Sequence, residues 1–326
     1  MRIVVFGAGA IGGVIGARLF QHDYDVTLVA RGDNYRALSR SGLRLETRDE
    51  AVTLKVPVVS SASELSLTSE DVVVLTVKSQ DTRGALREMA DSIPPDVAVV
   101  CAQNGVENER VALRMFANVY GMCVMCPATH LTPGVVQANS SPITGLLDLG
   151  RWPHGSDERA TVLAASLNGA TFQSIVRDDI ARWKWGKLLL NLNNAVQAIC
   201  GTDEPAPELT RRAIQEGMAV LERADIAFVG RDEDLARRGD LLTTSFSGGS
   251  KRSGGSTWQS LVRGTGTIET DYLTGEIVLR GRLHGVATPV NELLQRLVNQ
   301  LARDRRPPGA WSEAEVLAQL ESNPAD

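Results

Sequence analysis

A lysine and two asparagines recur at helical spacing in the segment RWKWGKLLLNLNNA. At about 100° per residue, Lys187, Asn191 and Asn194 fall on one face of a helix whose remaining circumference is largely leucine and valine. A lysine beside apolar walls can donate a proton to a carbonyl oxygen as hydride arrives, and carboxamides can hold polar substrate groups. The pattern therefore indicates a reductive site. The alternative is the solvated face of an amphipathic helix.

Three further polar residues are candidates for the same chemistry. Glu269, in GTIETDYLTG, starts a predicted helical segment and is the best carboxylate partner for the lysine, although a first-turn glutamate also suits a helix dipole. Lys78 and Asn104 follow the fourth and fifth predicted strands, where the carboxyl ends of parallel strands meet a bound cofactor. They would contact ribose, nicotinamide or a substrate carbonyl. A simple turn is the alternative at both, above all at Asn104-Gly105.

A glycine-rich turn follows the first predicted strand and opens a helix of small residues. Its residues are Gly7, Ala8, Gly9, Ala10, Ile11 and Gly12. Gly7 permits the tight turn, Gly9 lets the backbone approach a pyrophosphate, and Gly12 allows close packing of helix on strand. The helix N-terminus adds free N–H groups and a positive dipole end. In this placement the pattern predicts dinucleotide binding, with a merely glycine-rich turn as the alternative.

The residue at the end of the second predicted strand selects the dinucleotide. An acidic residue there binds a ribose 2′-hydroxyl, whereas an arginine pairs with a 2′-phosphate. This chain has Arg31 at that position, and a guanidinium suits bidentate phosphate contact. The sequence therefore favours NADPH/NADP+ over NADH. The competing interpretation is a solvated Arg31 with Asp33 binding the ribose.

The elements that must position these residues fall into two parts. Near-continuous apolar strands are predicted at Arg2–Phe6, Asp25–Ala30, Asp71–Thr76 and Val97–Cys101, which is typical of a parallel sheet covered on both faces. Extended segments at Val119–Val124, Gly134–Ala138, Thr144–Leu149 and Thr171–Val176 are predicted to continue that sheet, with antiparallel pieces as an option. The first part is thus an α/β fold, an N-terminal Rossmann-type doubly wound sheet over residues 1–178.

The second part, residues 179–326, has long helical periodicity and is predicted to be a mostly α-helical substrate domain. Helices are expected at Ile180–Ile199, Glu208–Ala224, Glu233–Leu242, Thr288–Arg303 and Ser312–Leu320. Thr288 before a proline fits an N-cap, and Ser312 with Glu315 fits a capping box. The glycine- and serine-rich stretch Ser245–Thr267 interrupts this pattern, as either a surface loop or an active-site loop.

Composition excludes several classes of protein. The 326 residues carry 34 Lys and Arg against 39 Asp and Glu, a formal charge of −5, so neither a nucleic acid nor a membrane surface is expected as a partner. Four cysteines are too few for a disulfide scaffold, and no apolar run reaches the roughly 18 residues of a membrane span, so we expect a cytoplasmic protein. Cys123 and Cys126 match CxxC but lie on a predicted strand, and no metal is expected.

The chain resembles ketopantoate reductases in the order and separations of five motifs, which are GAGAIG, LTVK, QNGV, WGKLLLN and TIETDYLTG. The resemblance covers about residues 1–290. It implies a two-domain enzyme that reduces 2-dehydropantoate, a 2-oxoacid, to pantoate with NADPH on the route to pantothenate and coenzyme A. The helical second domains of such reductases often pair, which implies a homodimer.

The resemblance also implies roles for single residues. Lys187 would act as the general acid toward the keto oxygen, and Glu269 would contact the substrate and organise the lysine. Asn104 would lie where nicotinamide and substrate meet. Asn191 would bind the substrate hydroxyl, and Lys78 would contact the cofactor.

Two positions depart from the family pattern. Ala195 stands where the family often has a second asparagine, and the adjacent Asn194 is the candidate to replace it. Thr257, preceded by Ser256, stands where the family often has a serine for the substrate carboxylate. These departures motivate a first alternative, a reductase of another 2-oxoacid on the same scaffold. A second alternative is a non-catalytic NADP-binding sensor, against which the retained lysine, asparagine and glutamate argue.

Overall fold

The structure is a computed structural model, and it describes residues 1–244, 254–264 and 266–322. The chain divides into two units, each described here by itself. Unit 1 comprises Met1–Lys184 and Arg231–Ser250, and unit 2 comprises Trp185–Gly230 and Lys251–Asp326. The segment that begins at Arg231 therefore returns to unit 1.

The strands of the described residues all lie in unit 1. They are β1 (Ile3–Phe6), β2 (Val26–Val29), β3 (Leu43–Glu46), β4 (Ala51–Leu54), β5 (Val58–Val59), β6 (Val72–Leu75), β7 (Ala98–Cys101), β8 (Val119–Met125), β9 (Ala128–Thr129), β10 (Val135–Ala138), β11 (Ser140–Pro142), β12 (Gly145–Arg151), β13 (Phe172–Gln173) and β14 (Leu242–Thr244).

The helices occur in both units, and the boundary at residues 184 and 185 falls within α6. They are α1 (Ala10–Gln21), α2 (Gly32–Ser41), α3 (Thr82–Ala90), α4 (Asn108–Ala112), α5 (Glu158–Asn168), α6 (Ile180–Asn191), α7 (Asn193–Cys200), α8 (Pro207–Arg223), α9 (Arg231–Arg238), α10 (Ser256–Val262), α11 (Thr274–His284), α12 (Pro289–Arg303) and α13 (Glu313–Glu321). None of the described helices is long and apolar enough to cross a lipid bilayer.

An eight-stranded sheet forms the centre of unit 1, in the order β13-β12-β8-β7-β6-β1-β2-β5. Strands β1, β2, β6 and β7 are parallel and buried along their whole length, which confirms the predicted α/β fold. Residues of α1 pack on one face of the sheet and residues of α3 and α4 on the other, so both faces are covered as in a doubly wound sheet. The only antiparallel pair in this sheet joins β8 and β12.

The carboxyl ends of the four central strands are in register. Phe6 lies opposite Val29 and Leu75, and Leu75 lies opposite Cys101. The turns that follow these strands therefore emerge at one edge of the sheet. This is the edge at which open α/β sheets bind ligands.

One predicted extension of the main sheet is wrong. β10 belongs to a separate four-stranded sheet of order β4-β3-β10-β9, because it pairs with β3 and β9 rather than with a strand of the main sheet. Val136 of β10 packs where a side chain at Gly13 of α1 would stand, so the small sheet covers the outer side of that helix. The sequence analysis did not predict β3, β4, β5, β9, β11 or β14.

Three helix predictions need correction. Ile180–Ile199 was expected as one helix, but the structure divides it at Leu192 into α6 and α7. The predicted helix Glu233–Leu242 ends at Arg238, since Leu242–Thr244 pairs with β11 as a strand. The predicted loop Ser245–Thr267 contains the helix α10, while residues 245–253 and 265 lie outside the described residues.

In unit 2 the two predicted caps have different outcomes. Ser312 and Glu315 form the expected capping box at the start of α13. Thr288 is the N-cap residue of α12 and Pro289 the first helical residue, as predicted, but the Thr288 side chain makes no capping bond. Glu216 of α8 accepts hydrogen bonds from the backbone N–H groups of Val290 (2.8 Å) and Asn291 (2.9 Å) instead. Burial raises the pKa of Glu216.

Candidate active site

The glycine turn of unit 1 has the backbone that the sequence predicts. Gly7 has φ +113°, a conformation that residues with a side chain rarely adopt. A Cβ atom at Gly12 would collide with the Gly7 carbonyl and the Thr76 hydroxyl, so helix and strand approach as closely as expected. At Gly9 the same added atom would meet nothing within 4 Å, and the backbone there is open to a ligand.

The N-terminus of α1 is suited to an anion. Gly9 caps the helix without a side-chain hydrogen bond, and the first turn holds no acidic residue. Asn34 fixes the turn from α2, because its amide donates to the Ala8 carbonyl (2.7 Å) while its oxygen accepts from the Gly134 N–H (2.8 Å). Open space, free N–H groups and a held turn are the features that fit a dinucleotide pyrophosphate.

Arg31 stands at the end of β2, where the sequence places it, as the residue before α2. Its side chain is 61% exposed and is paired with Glu88 of α3. The other carboxylate oxygen of Glu88 accepts from the Ala62 N–H (2.9 Å). Asp33, the competing ribose ligand, is 76% exposed and pairs with Arg36. The guanidinium of Arg31 is thus at the expected edge, with an acidic partner that the sequence analysis did not predict.

A buried hydrogen-bond network joins the turn that holds Lys78 to the turn that holds Asn104. Gln103 donates from its amide to the Val77 carbonyl (2.6 Å) and to the Thr82 hydroxyl (2.8 Å). Asn108 donates to the Asn104 carbonyl and to the Ser79 hydroxyl, both at 3.1 Å, and accepts from Thr82 (2.8 Å). The two predicted site residues therefore lie in turns that are tied to each other.

A buried ion pair lies beneath the second of these turns. The ammonium of Lys184 pairs with the carboxylate of Glu109, and the two side chains are 2% and 0% exposed. The same ammonium donates to the carbonyls of Gln103 (2.9 Å) and Cys101 (3.5 Å). Burial raises the pKa of Glu109, and the neighbouring ammonium opposes that rise. Neither Lys184 nor Glu109 was predicted from the sequence as a buried charged residue.

In unit 2, Lys187 and Asn191 are one turn apart on α6, as the sequence predicts. Lys187 is half-buried, whereas Asn191 is only 4% exposed. The Nδ2 atom of Asn191 has no hydrogen-bond partner among the described residues. A buried amide that lacks a partner costs about 1–3 kcal/mol, so this group is suited to an incoming acceptor.

Asn194 and the start of α10 also meet within unit 2. The Asn194 amide lies 3.5 Å from the Ser256 hydroxyl, and Gln197 accepts from the Gly255 N–H at 3.0 Å. Thr257, the next residue, is 3% exposed. Ala195 is 1% exposed, so the position where the family often has an asparagine is a packed apolar position in this chain.

Glu269 is half-buried and precedes a single 3₁₀ turn, Thr270–Tyr272. Arg263, the residue that follows α10, is close enough for the Glu269 carboxylate to influence its pKa. Burial lowers the pKa of that guanidinium and the glutamate opposes the change. Arg263 was absent from the predicted site.

The residues that the sequence analysis missed have one feature in common. Gln103, Asn108, Lys184 and Glu109 are polar and buried, and each contacts a side chain or backbone atom at least 26 residues away. Only Gln103 gave a signal, as the neighbour of Asn104. No group of His, Cys, Asp or Glu in the described part of the chain has the arrangement of a metal site.

Comparison with known proteins identifies the family. A sequence profile described as Ketopantoate reductase PanE/ApbA matches residues 3–153, and its C-terminal counterpart matches residues 179–302. The chain is 30% identical to a 2-dehydropantoate 2-reductase from Mesorhizobium japonicum, over 94% of this chain and 99% of that protein.

Solved structures agree with this assignment. A PanE/ApbA family ketopantoate reductase from Ralstonia eutropha has a TM-score of 0.78 and 28% identity, covering 94% of this chain and 99% of its own. D-mandelate dehydrogenase in a ternary structure with NADH and anilino(oxo)acetate has a TM-score of 0.79 with the same coverage, and at 24% identity it shows the fold alone. The two profiles span most of this chain, which therefore belongs to the ketopantoate reductase family, whose members are oxidoreductases that act on a 2-oxoacid and 2-hydroxyacid pair.

Proposed function

We propose that this chain reduces 2-dehydropantoate to pantoate with NADPH, one 2-oxoacid and one proton giving one 2-hydroxyacid and NADP+. The observation that carries the proposal is the placement of Lys187 and Asn191 one turn apart on α6, with a buried Asn191 Nδ2 atom that has no hydrogen-bond partner among the described residues. The family names of the relatives support the substrate. The pathway to pantothenate and coenzyme A follows from that substrate.

Three observations support the binding of a dinucleotide at the glycine turn. These are the open backbone at Gly9, the α1 N-terminus without an acidic residue, and Arg31 at the end of β2. When bound, the dinucleotide supplies the hydride. Gly7 to Gly12 would hold the pyrophosphate, Arg31 the 2′-phosphate, and Lys78 and Asn104 the ribose and nicotinamide end.

The remaining roles belong to unit 2. Lys187 donates a proton to the keto oxygen as negative charge develops there, which lowers the barrier by charge stabilisation. Asn191 donates its free amide hydrogen atoms to the substrate hydroxyl. Ser256 and Thr257 supply hydroxyl groups for the substrate carboxylate, and Asn194 takes the place of the asparagine that Ala195 lacks. Glu269 contacts the substrate and orients the lysine.

The first test is NADPH oxidation at 340 nm with 2-dehydropantoate, run beside NADH and a panel of other 2-oxoacids. Efficient turnover with 2-dehydropantoate and NADPH supports the proposal. Turnover confined to another 2-oxoacid would favour the first alternative, since the same fold occurs in a D-mandelate dehydrogenase. Tight NADPH binding with no turnover on the whole panel would favour a sensor.

The second test is Lys187→Ala. We expect turnover to fall by about 10²–10⁴-fold, because a positioned acid is lost, while the Kd for NADPH changes less than about threefold. Turnover close to that of the unmodified enzyme would remove Lys187 from the mechanism. Lys187→Arg is the matched variant, since arginine keeps the charge but does not release a proton.

The remaining expectations are separate proposals. The division into domains 1–178 and 179–326, the homodimer and the cytoplasmic location rest on the resemblance and on composition. Light scattering at several protein concentrations tests the homodimer directly.

A further inference from the structure

Asn104 is enclosed by two anchored peptide groups. The peptide group before it carries the Gln103 carbonyl, which accepts from the Lys184 ammonium at 2.9 Å. The peptide group after it carries the Asn104 carbonyl, which accepts from the Asn108 amide at 3.1 Å. Peptide groups are planar, so holding both planes fixes the two backbone dihedral angles of Asn104. Its side chain therefore leaves the backbone in one set direction.

The group that holds the peptide plane before Asn104 is the fully buried ammonium of Lys184. An ammonium has three donors, and Lys184 has three acceptors in reach: the Glu109 carboxylate and the carbonyls of Gln103 and Cys101. Gly121 of β8 leaves space beside this lysine, because a Cβ atom there would stand 3.1 Å from Trp152 Cε3 and 3.3 Å from Lys184 Cδ. The site is built around this lysine.

Stability alone does not account for such a pair. The desolvation of two buried charges is costly, and apolar side chains of similar volume at such a position are often equally stable or more so. What an apolar pair would not supply is a hydrogen bond to the Gln103 carbonyl. The distinctive contribution of Lys184 is therefore directional.

We infer that Lys184 and Glu109 are positioning residues for the reduction: Lys184 holds the peptide group before Asn104, and Glu109 holds Lys184. The inference rests on the proposed function of Asn104. Neither residue contacts the reacting atoms in this assignment. Their effect reaches the chemistry through the backbone of residues 103–105, which follow β7 at the ligand-binding edge of the sheet.

The decisive variant is the double substitution Lys184→Met with Glu109→Leu. Each single variant leaves one buried charge without its partner, which strongly favours unfolding, whereas the double variant removes both charges. We expect the double variant to melt within a few degrees of the unmodified protein. Its turnover should still fall at least tenfold, since displacement of a reacting group by about 1 Å can cost 10²-fold. The Kd for NADPH should change less than threefold.

Hydrogen exchange supplies a readout that does not depend on activity. In the double variant the amide proton of Ala102, which donates to the Leu75 carbonyl at 2.9 Å and lies between the two carbonyls that Lys184 holds, should exchange faster, while those of β1 and β6 keep their protection. A folded double variant with unmodified turnover and unmodified exchange at Ala102 would overturn the inference.

A matched control is available in the same unit. Asp148 and Arg237 form a second buried pair, with side chains 5% and 8% exposed, and neither bonds to the turn that holds Asn104. Asp148→Asn with Arg237→Met should change stability and leave turnover unaltered. An equal fall in turnover in this control would show a general effect of lost buried pairs and would also overturn the inference.

Asn104→Ala separates this inference from the proposed function. If that variant keeps unmodified turnover, Asn104 has no role in the reaction and the proposed function must be revised. If it loses turnover while the double variant does not, the role of Asn104 stands and the inference about Lys184 and Glu109 fails.

Discussion

The turns after β6 and β7 in unit 1 differ from the polar face of α6 and α7 in unit 2. In unit 1, Gln103 and Asn108 are buried and their amides donate to backbone and hydroxyl oxygens at 2.6–3.1 Å. In unit 2, the buried Asn191 amide has no partner in the described residues, and Asn194 reaches Ser256 only at 3.5 Å. The side-chain amide donors of the first region are thus bonded within the protein, whereas the Asn191 Nδ2 donor of the second region is not.

This difference indicates how the two regions divide the work of binding. A network whose amide donors are bonded within the protein holds its geometry before any ligand arrives, so little ordering entropy is lost on binding. A buried donor without a partner lowers stability until a substrate oxygen satisfies it. We therefore expect variants in the first region to change both stability and turnover, and variants in the second to change mainly substrate binding.

The largest effect is expected from Asn108→Ala. The substitution removes the donor to the Asn104 carbonyl and the acceptor for the Thr82 hydroxyl, both in a buried setting. We expect a loss of about 2–4 kcal/mol in the free energy of unfolding and a fall in turnover of at least tenfold. Chemical denaturation and steady-state kinetics measure the two effects.

Asn118→Ala is the control for this variant. The Asn118 amide also donates to a backbone carbonyl of unit 1, that of Asp96 at 2.7 Å, but in an exposed position. It should cost less than about 1 kcal/mol and leave turnover unchanged. Equal behaviour of the two variants would contradict the idea that the buried network positions the site.

A smaller effect is expected from Asn194→Ala. The side chain is half-buried and its one hydrogen bond to Ser256 is long, so stability should change by less than about 1 kcal/mol. If Asn194 holds the substrate, the KM for the 2-oxoacid should rise about tenfold with little change in kcat, because uniform binding is lost.

Asn193→Ala provides the comparison, as the adjacent asparagine on α7. Asn193 accepts from the Thr210 hydroxyl at 2.9 Å, a contact between α7 and α8. That variant should alter stability and leave KM unchanged. A rise in KM for Asn193→Ala alone would exchange the roles of the two neighbours and contradict the substrate role of Asn194.

The smallest effect is expected from Glu88→Gln, which tests the cofactor edge. Glutamine can still accept from the Ala62 N–H but removes the charge that pairs with Arg31. We expect the ratio of kcat/KM for NADPH over NADH to rise about threefold, and less at high salt, because exposed charges are screened. An unchanged ratio would count against a phosphate-binding Arg31. Asp33→Asn then tests the competing ribose contact, which predicts a loss of NADH use.

Much of the fold was predictable because its signals are local. Strands such as Ile3–Phe6 and Val72–Leu75 are buried on both faces and therefore appear in the sequence as unbroken apolar runs. Gly7 and Gly12 occupy positions that have no room for a side chain, and glycine at these positions is visible in the sequence. The short strands β3 and β4 are only partly buried and have no such signal. The division between α6 and α7 at Leu192 was not predicted, because the apolar pattern continues across this residue without a break.

The candidate site was predictable only where residue type carries chemistry by itself. Lys187 and Asn191 stand out as polar residues on an apolar helix. Lys184 lies on the same helix but bonds to carbonyls more than 80 residues away, and Glu109 is 75 residues from its partner. Such pairings arise from the strand order of the sheet, which periodicity in one segment does not determine.

The return of the chain to unit 1 at Arg231 has a consequence for its synthesis. Arg237 pairs with Asp148, and β14 covers β11, yet both belong to a segment made some fifty residues after Lys184. At roughly 5–20 residues per second, the ribosome needs several seconds to supply them. During that interval β11 lacks the strand with which it pairs, and Asp148 has Arg177 as its one arginine partner among the described residues. An unpaired extended segment is a template for association, so we expect the chain to be most prone to association in this interval.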